Sequence, residues 1–188
     1  MTTINVSGPD PGDIDCSGLV DGDEIVFASG TYTGKVNIVD CQLATGYVTV
    51  RTDGGQVIFA RTSGAQQLEI KSTTGVSAGL HFDGTYDNST YRYPFVFNGT
   101  LTVSGVNRLK LDYVKFDGFP SSNNVGLLVK QDDADKYTSL DDITVTNCIF
   151  RDCSEAIYIG DTGSGLGKDG YLVDNVLIAN CEAYDCYD

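Results

Sequence analysis

The sequence predicts an all-β protein that repeats itself coil on coil, and three observations carry that prediction. The composition suits strands and turns, short segments of period two follow one another along most of the chain, and some of them recur at a nearly constant offset. The 188 residues include 22 Gly but only 4 Pro, 1 Met and no Trp, and Val, Ile, Thr and Tyr, which favour pleated surfaces, are abundant. That length fits a single domain able to bury its own core. With 26 acidic against 12 basic residues and a net charge of −14, the chain would repel a phosphate backbone, so nucleic acid is not an expected partner. No apolar run approaches the roughly 18 residues of a membrane span, and the opening "MTTINVSGPDPGD" carries no secretory signal.

The strand candidates, in order, are "EIVFAS", "KVNIV", "YVTVRT", "QVIFA", "QLEIK", "GLHFDG", "FVFNG", "LTVSG", "RLKLDYVKFDG", "GLLVK", "ITVTNCIF", "AIYIG" and "NVLIANC". Alternation turns Val48 and Val50, Leu68 and Ile70, Leu109 and Leu111, and Ile143 and Val145 to one side. His81, between Leu80 and Phe82, then points outward as a surface strand residue. Gly, Asn, Asp and Ser punctuate the segments, as turns require.

Short strands suit sandwiches, barrels and solenoids alike, so longer periodicity decides between them. "NCIFRDC" at 147–153 returns as "NCEAYDC" at 180–186, and by the same offset "DDITVTNC" at 141–148 lies over "DNVLIANC" at 174–181. One step back, "NRLKLDYVKFDG" places Leu109 over Ile143, Leu111 over Val145 and Phe116 over Phe150, a step longer by a single residue. The segments after these units also correspond, "VGLLVK" to "EAIYIG". Repeats of short strands without a helix point to a parallel β-helix, each strand pairing with its equivalent in the next coil. Asn147 and Asn180 would form a ladder at a tight turn. Residues 1–60 read as N-terminal capping coils and 61–188 as regular coils with loops near 84–94, 131–141 and 160–173, together one domain. The second "NC" unit stops where the first continues into "SEAIYIG". The expectation is a solenoid open or incomplete at its C-terminal end, completed by further chain or by a neighbouring copy.

At these residues the chain resembles the right-handed parallel β-helix, pectate lyase-like superfamily. Its start, "DGDEIVFASGTYTGKVNI" followed by "YVTVRTDGGQVIFA", is most similar to the first coils of alginate and chondroitin lyase-type members. The resemblance implies a secreted or cell-surface protein that binds or degrades polysaccharide, in the enzyme case by β-elimination, with Ca²⁺ as the possible cofactor. Such lyases use a Lys or Arg to take the proton alpha to a uronate carboxylate. On the sheet holding "GLLVK" and "AIYIG", Ile157 and Ile159 point inward while Leu128, Tyr158 and Lys130 point outward. Arg151, Asp152 and Glu155 sit in the turn entering that sheet, so Lys130 and Arg151 are the catalytic candidates, and Tyr158, Asp152 and Glu155 the substrate-binding ones; the structural alternative is a solvated turn. The superfamily also includes adhesins and inert spikes, so a fibre, filament or adhesive module is the competing function.

Asp132, Asp133 and Asp135 are the Ca²⁺ candidates, against a solvated acidic loop, because adjacent carboxylates offer the hard oxygens calcium prefers. Zinc would want tighter cysteine spacing than "CIFRDC" or "CEAYDC" provides, and no His lies nearby. Cys148 with Cys153 and Cys181 with Cys186 are either short bridges at a turn or stacked thiols, with stacking preferred, and a Cys16–Cys41 disulfide would tie down the first coil.

Overall fold

The computed structural model describes residues 1–60, 68–71, 77–85, 91–118, 125–130, 139–160 and 172–186. Through them the chain runs in seven successive passes. The first holds β1 (Thr3–Val6) and β2 (Gly12–Asp15), the second β3 (Glu24–Phe27), β4 (Gly30–Tyr32) and β5 (Val36–Val39), the third β6 (Val48–Thr52), β7 (Val57–Ala60) and β8 (Leu68–Lys71). The fourth holds β9 (Ser77–Asp83), β10 (Phe95–Asn98) and β11 (Leu101–Ser104), the fifth β12 (Val106–Asp112), β13 (Val114–Asp117) and β14 (Val125–Lys130). The sixth adds β15 (Ser139–Asp141) before β16 (Ile143–Thr146), β17 (Ile149–Arg151) and β18 (Glu155–Gly160). The seventh holds β19 (Leu172–Asp174), β20 (Leu177–Ala179) and β21 (Glu182–Tyr184). Among the described residues there is no helix.

The strands form three main parallel sheets visited in rotation. The first stacks β1-β3-β6-β9-β12-β16-β20, the second β4-β7-β10-β13-β17-β21, and the third β2-β5-β8-β11-β14-β18. Parallel neighbours need a long connection, and here the connection is the route through the other two sheets. The fold is thus all-β with all-parallel sheets, consistent with a parallel β-helix. The pairing follows the repeat read from the sequence: Leu109 faces Ile143 and Leu111 faces Val145, Phe116 faces Phe150, and Val145 faces Ile178. A fourth small sheet pairs β15 with β19, so strands stand where the sequence reading placed the ends of two loops.

The three sheets enclose one apolar core, and equivalent residues stack along it. In the second sheet Phe59, Phe97, Phe116 and Phe150 lie ring on ring, with centroids 4.8, 5.3 and 4.7 Å apart. Tyr32 extends the column at 5.5 Å with a tilted ring, and its hydroxyl donates to the carbonyls of Val6 and Ala28. Burying each such ring is worth about 1.5–3 kcal/mol, and the stacking geometry adds about 0.5–1.5 kcal/mol per pair. The column ends at Ala183, which faces Phe150.

Corners are made by residues in the left-handed region. Tyr113, Asn147 and Asn180 (φ 52°, 55° and 55°) turn successive passes from the first sheet into the second, and Asp152 and Asp185 (φ 54° and 55°) turn them out of it. Asn accepts this conformation at little cost, and the Asn147 amide also donates to Asp112 Oδ1 at 2.8 Å.

Candidate functional site

Period-two alternation gives each sheet an outward face, and these faces hold the exposed chemistry. On the third sheet Leu128 pairs with Tyr158 and Lys130 with Gly160. Leu127 and Val129 are buried while Leu128 and Lys130 are half-buried, so the expected orientation of this sheet holds. The Tyr158 ring stands 3.5 Å from where a Cβ on Gly160 would be, and Gly160 is the register partner of Lys130. Glu155 opens β18 opposite Val125.

Arg151 and Asp152 lie at the corner between β17 and β18, in the turn that enters this sheet. Arg151 ends β17 in the second sheet, where Nε and Nη2 donate to Asp117 Oδ1 at 2.7 and 2.6 Å, and Nε approaches Asp152 Oδ2 at 3.3 Å. The hydrogen bond and charge of Asp117 hold the guanidinium above its usual range, so what Arg151 offers is a fixed positive charge. The structure therefore places Lys130 and Tyr158 on neighbouring strands of one sheet, with Arg151 and Asp152 together at the corner that leads into it. Asp132, Asp133 and Asp135 lie outside the described residues, among which no group of three His, Cys, Asp or Glu is placed to hold a metal ion.

The expected Cys16–Cys41 disulfide is not formed, and all six cysteines are free thiols. Cys16 Sγ turns to the carbonyl of Ile14 at 3.5 Å and Cys41 Sγ to that of Gly79 at 3.9 Å. Burial pushes both thiols up to about 12. For the other four, stacked thiols replace bridges within the turn.

The outward face of the first sheet holds a cluster that the sequence reading did not assemble. The register aligns Thr49, His81, Lys110 and Thr144 in one column. Tyr47 lies just before β6, and its ring reaches along this column. Lys110 Nζ sits 4.3 Å from the ring centroid, and the His81 ring meets Tyr47 edge-on at 6.2 Å. Arg108 braces the loop before Tyr47: its guanidinium donates to the carbonyls of Leu43 and Gly46. That loop comes so close to β9 that a Cβ on Gly79 would stand 2.7 Å from the Gly46 oxygen, and Gly79 also has φ +83°, so glycine is required twice over.

Burial, the largest influence on His81, lowers its pKa below the ordinary 6.5; Asp83 and Asp112 oppose this and Lys110 adds to it. A neutral imidazole presents one donor and one acceptor. In the neighbouring column Asp112 Oδ1 accepts from Thr146 Oγ1 at 2.9 Å, and Asp83 Oδ1 accepts from the Thr85 backbone at 2.9 Å. The face combines an aromatic ring, a lysine, a neutral histidine, carboxylates and hydroxyls. Aligning "LHFD" over "LKLD" would have paired His81 with Lys110; Tyr47 gave no such signal.

Compared with known proteins, the chain matches no family model, no curated protein and no solved structure.

Proposed function

We propose that this protein is a right-handed, pectate lyase-like parallel β-helix that binds polysaccharide outside the cell along the outward face of its first sheet. Rotation through three parallel sheets supports the helix, and right-handed crossovers account for about 98% of parallel connections. The observation that carries the binding reading is the Tyr47–His81–Lys110 cluster. An open, ridged face with rungs about 4.8 Å apart suits a polymer better than a small molecule, and amphipathic tyrosine with neutral imidazole suits the mixed apolar and hydroxylated surface of a sugar.

The experiment is affinity electrophoresis against alginate, pectate, chondroitin and a neutral glucan, with and without Ca²⁺. Ultraviolet detection of unsaturated product reports β-elimination on the uronate polymers. Retention by at least one polymer is expected, and no retention by any of them would overturn the reading. A non-catalytic structural or adhesive module is favoured by a different observation. Val176 and Ile178, aligned with the core residues Ile143 and Val145, are 38% and 49% exposed, and Leu177 beside them is 53% exposed. Their occupant on that reading is a second copy of the chain. Sedimentation showing assembly at micromolar concentration would support it, and a monomer throughout would refute it.

A further inference from the structure

Four cysteines stand in two columns that bracket one strand pair. Strands β17 and β21 pair from Ile149 with Glu182 to Arg151 with Tyr184. Immediately before this ladder Cys148 lies beside Cys181, and just beyond its other end Cys153 lies beside Cys186, both pairs sharing the offset of the ladder between them. Strands in a sheet run about 4.8 Å apart, within the Cα separation of about 4.4–6.8 Å that a disulfide spans. Within one pass the outcome is opposite. Cys148 and Cys153 are separated by extended β17, whose three residues alone cover about 10 Å, too far to bridge.

The thiols of each column are oriented alike. Cys148 Sγ approaches the carbonyls of Thr146 and Leu111 at 3.2 and 3.8 Å, and Cys181 Sγ the equivalent carbonyls of Ala179 and Val145 at 3.4 and 3.6 Å. Cys153 Sγ and Cys186 Sγ approach the equivalent carbonyls of Arg151 and Tyr184 at 3.4 and 3.6 Å. Access is graded the same way in both columns: Cys148 and Cys153 are fully buried at 0%, whereas Cys181 and Cys186 are half-exposed. A dissolved reagent therefore meets Cys181 and Cys186 first, each in register with the buried thiol of the pass before.

We infer that Cys148–Cys181 and Cys153–Cys186 form a double redox modification site, closing as two parallel disulfides that clamp β21 onto β17 when the folded protein meets a small-molecule disulfide. In the first column the Cys181 thiolate attacks one sulfur of the reagent, breaking its S–S bond, forming a mixed disulfide and releasing one reagent thiolate. Cys148 then loses its proton and attacks the Cys181 sulfur, expelling the second reagent thiolate. The two protein thiols lose two electrons, the reagent gains them, and two protons finish on the two reagent thiols. The neighbouring Cys148 thiol lowers the pKa of Cys181, while Cys181 and burial push Cys148 up, in keeping with the more exposed thiol attacking first. The second column follows the same course through Cys186 and Cys153. Cys16 and Cys41 are both buried at 0% and remain reduced under the same treatment, an internal control.

The test is oxidation of the reduced, folded chain with glutathione disulfide, acid quenching, alkylation of free thiols and digestion with trypsin and a Glu-specific protease. Cleavage after Arg151 parts Cys148 from Cys153, and cleavage after Glu182 parts Cys181 from Cys186, so linked peptides report connectivity directly. The expected result is loss of four of the six free thiols, with peptides joined as Cys148–Cys181 and Cys153–Cys186. Bridges within a turn, links only between chains, or six thiols left intact would each overturn the proposal. Cys181→Ser should leave Cys148 reduced while the Cys153–Cys186 link still forms; oxidation of Cys148 with another partner in that variant would contradict it.

Discussion

The outward faces of the first and third sheets share one strand spacing and one alternation, yet they offer different surfaces. On the third sheet Asn37 and Val39 are 6% and 8% exposed, and Thr102 and Ser104 are at 0%, so a polymer crossing the passes there meets closed stretches at β5 and β11. On the first sheet Glu24, Thr49, His81, Lys110 and Thr144 all stay half-exposed, giving a continuous column across five strands. Outward geometry follows from alternation, but availability depends on what else packs over a face. This difference moves the proposed site from Lys130 and Tyr158 to Tyr47, His81 and Lys110.

The largest expected effect lies in the core beneath both faces. Phe116→Ala breaks a ring column at 5.3 and 4.7 Å from its neighbours and should cost about 3–5 kcal/mol in urea unfolding, weakening both faces together. Next comes Arg108→Met, which removes the guanidinium that holds the carbonyls of Leu43 and Gly46. A loss of about 1.5–3 kcal/mol is expected from charged hydrogen bonds, with polysaccharide binding reduced because Tyr47 loses its support; unchanged binding would separate that loop from the site.

Thr102→Val sharpens the comparison from the other side. The Thr102 hydroxyl is buried without a partner, and a methyl in its place should raise stability by about 1 kcal/mol in the same unfolding measurement while leaving binding untouched. The smallest effect is the pH response of His81. Its folded pKa lies below the ordinary 6.5, so the folded chain takes up its proton less readily than the unfolded one. The stability this contributes is fully present above pH 6.5 and is lost as pH falls through the lowered folded value. Denaturation midpoints of the protein and of His81→Gln, compared across that range, should converge at the acid end; parallel curves would remove His81 from the account.

The later passes were legible because their spacing is nearly constant: the steps from Leu109 to Ile143 and from Thr144 to Leu177 differ by a single residue. Earlier passes advance unevenly. The steps from Thr3 to Glu24, Glu24 to Thr49, Val48 to Leu80 and Leu80 to Leu109 all differ in length, and each is shorter than the later ones. Connections of variable length erase a fixed period without disturbing the ladder, which hid the alignment of His81 with Lys110. Asn147 and Asn180 announced their left-handed corners because asparagine favours them, whereas Arg108 and Tyr113 adopt φ of 54° and 52° with side chains that give no such sign. The Cys148 and Cys181 column was visible in the repeat. The same repeat favours stacked thiols over bridges within the turn, and no bridge within the turn is formed.

The most direct measurement compares the two faces in one binding experiment. Affinity for the retained polysaccharide is measured for the unaltered protein, for Tyr47→Ala and Lys110→Ala on the first sheet, and for Tyr158→Ala and Lys130→Ala on the third. The account predicts about a tenfold or greater loss for each first-sheet variant, or about 1.4 kcal/mol, with the third-sheet variants within about twofold of the parent. Loss confined to Tyr158→Ala and Lys130→Ala would contradict it and return the site to the third sheet.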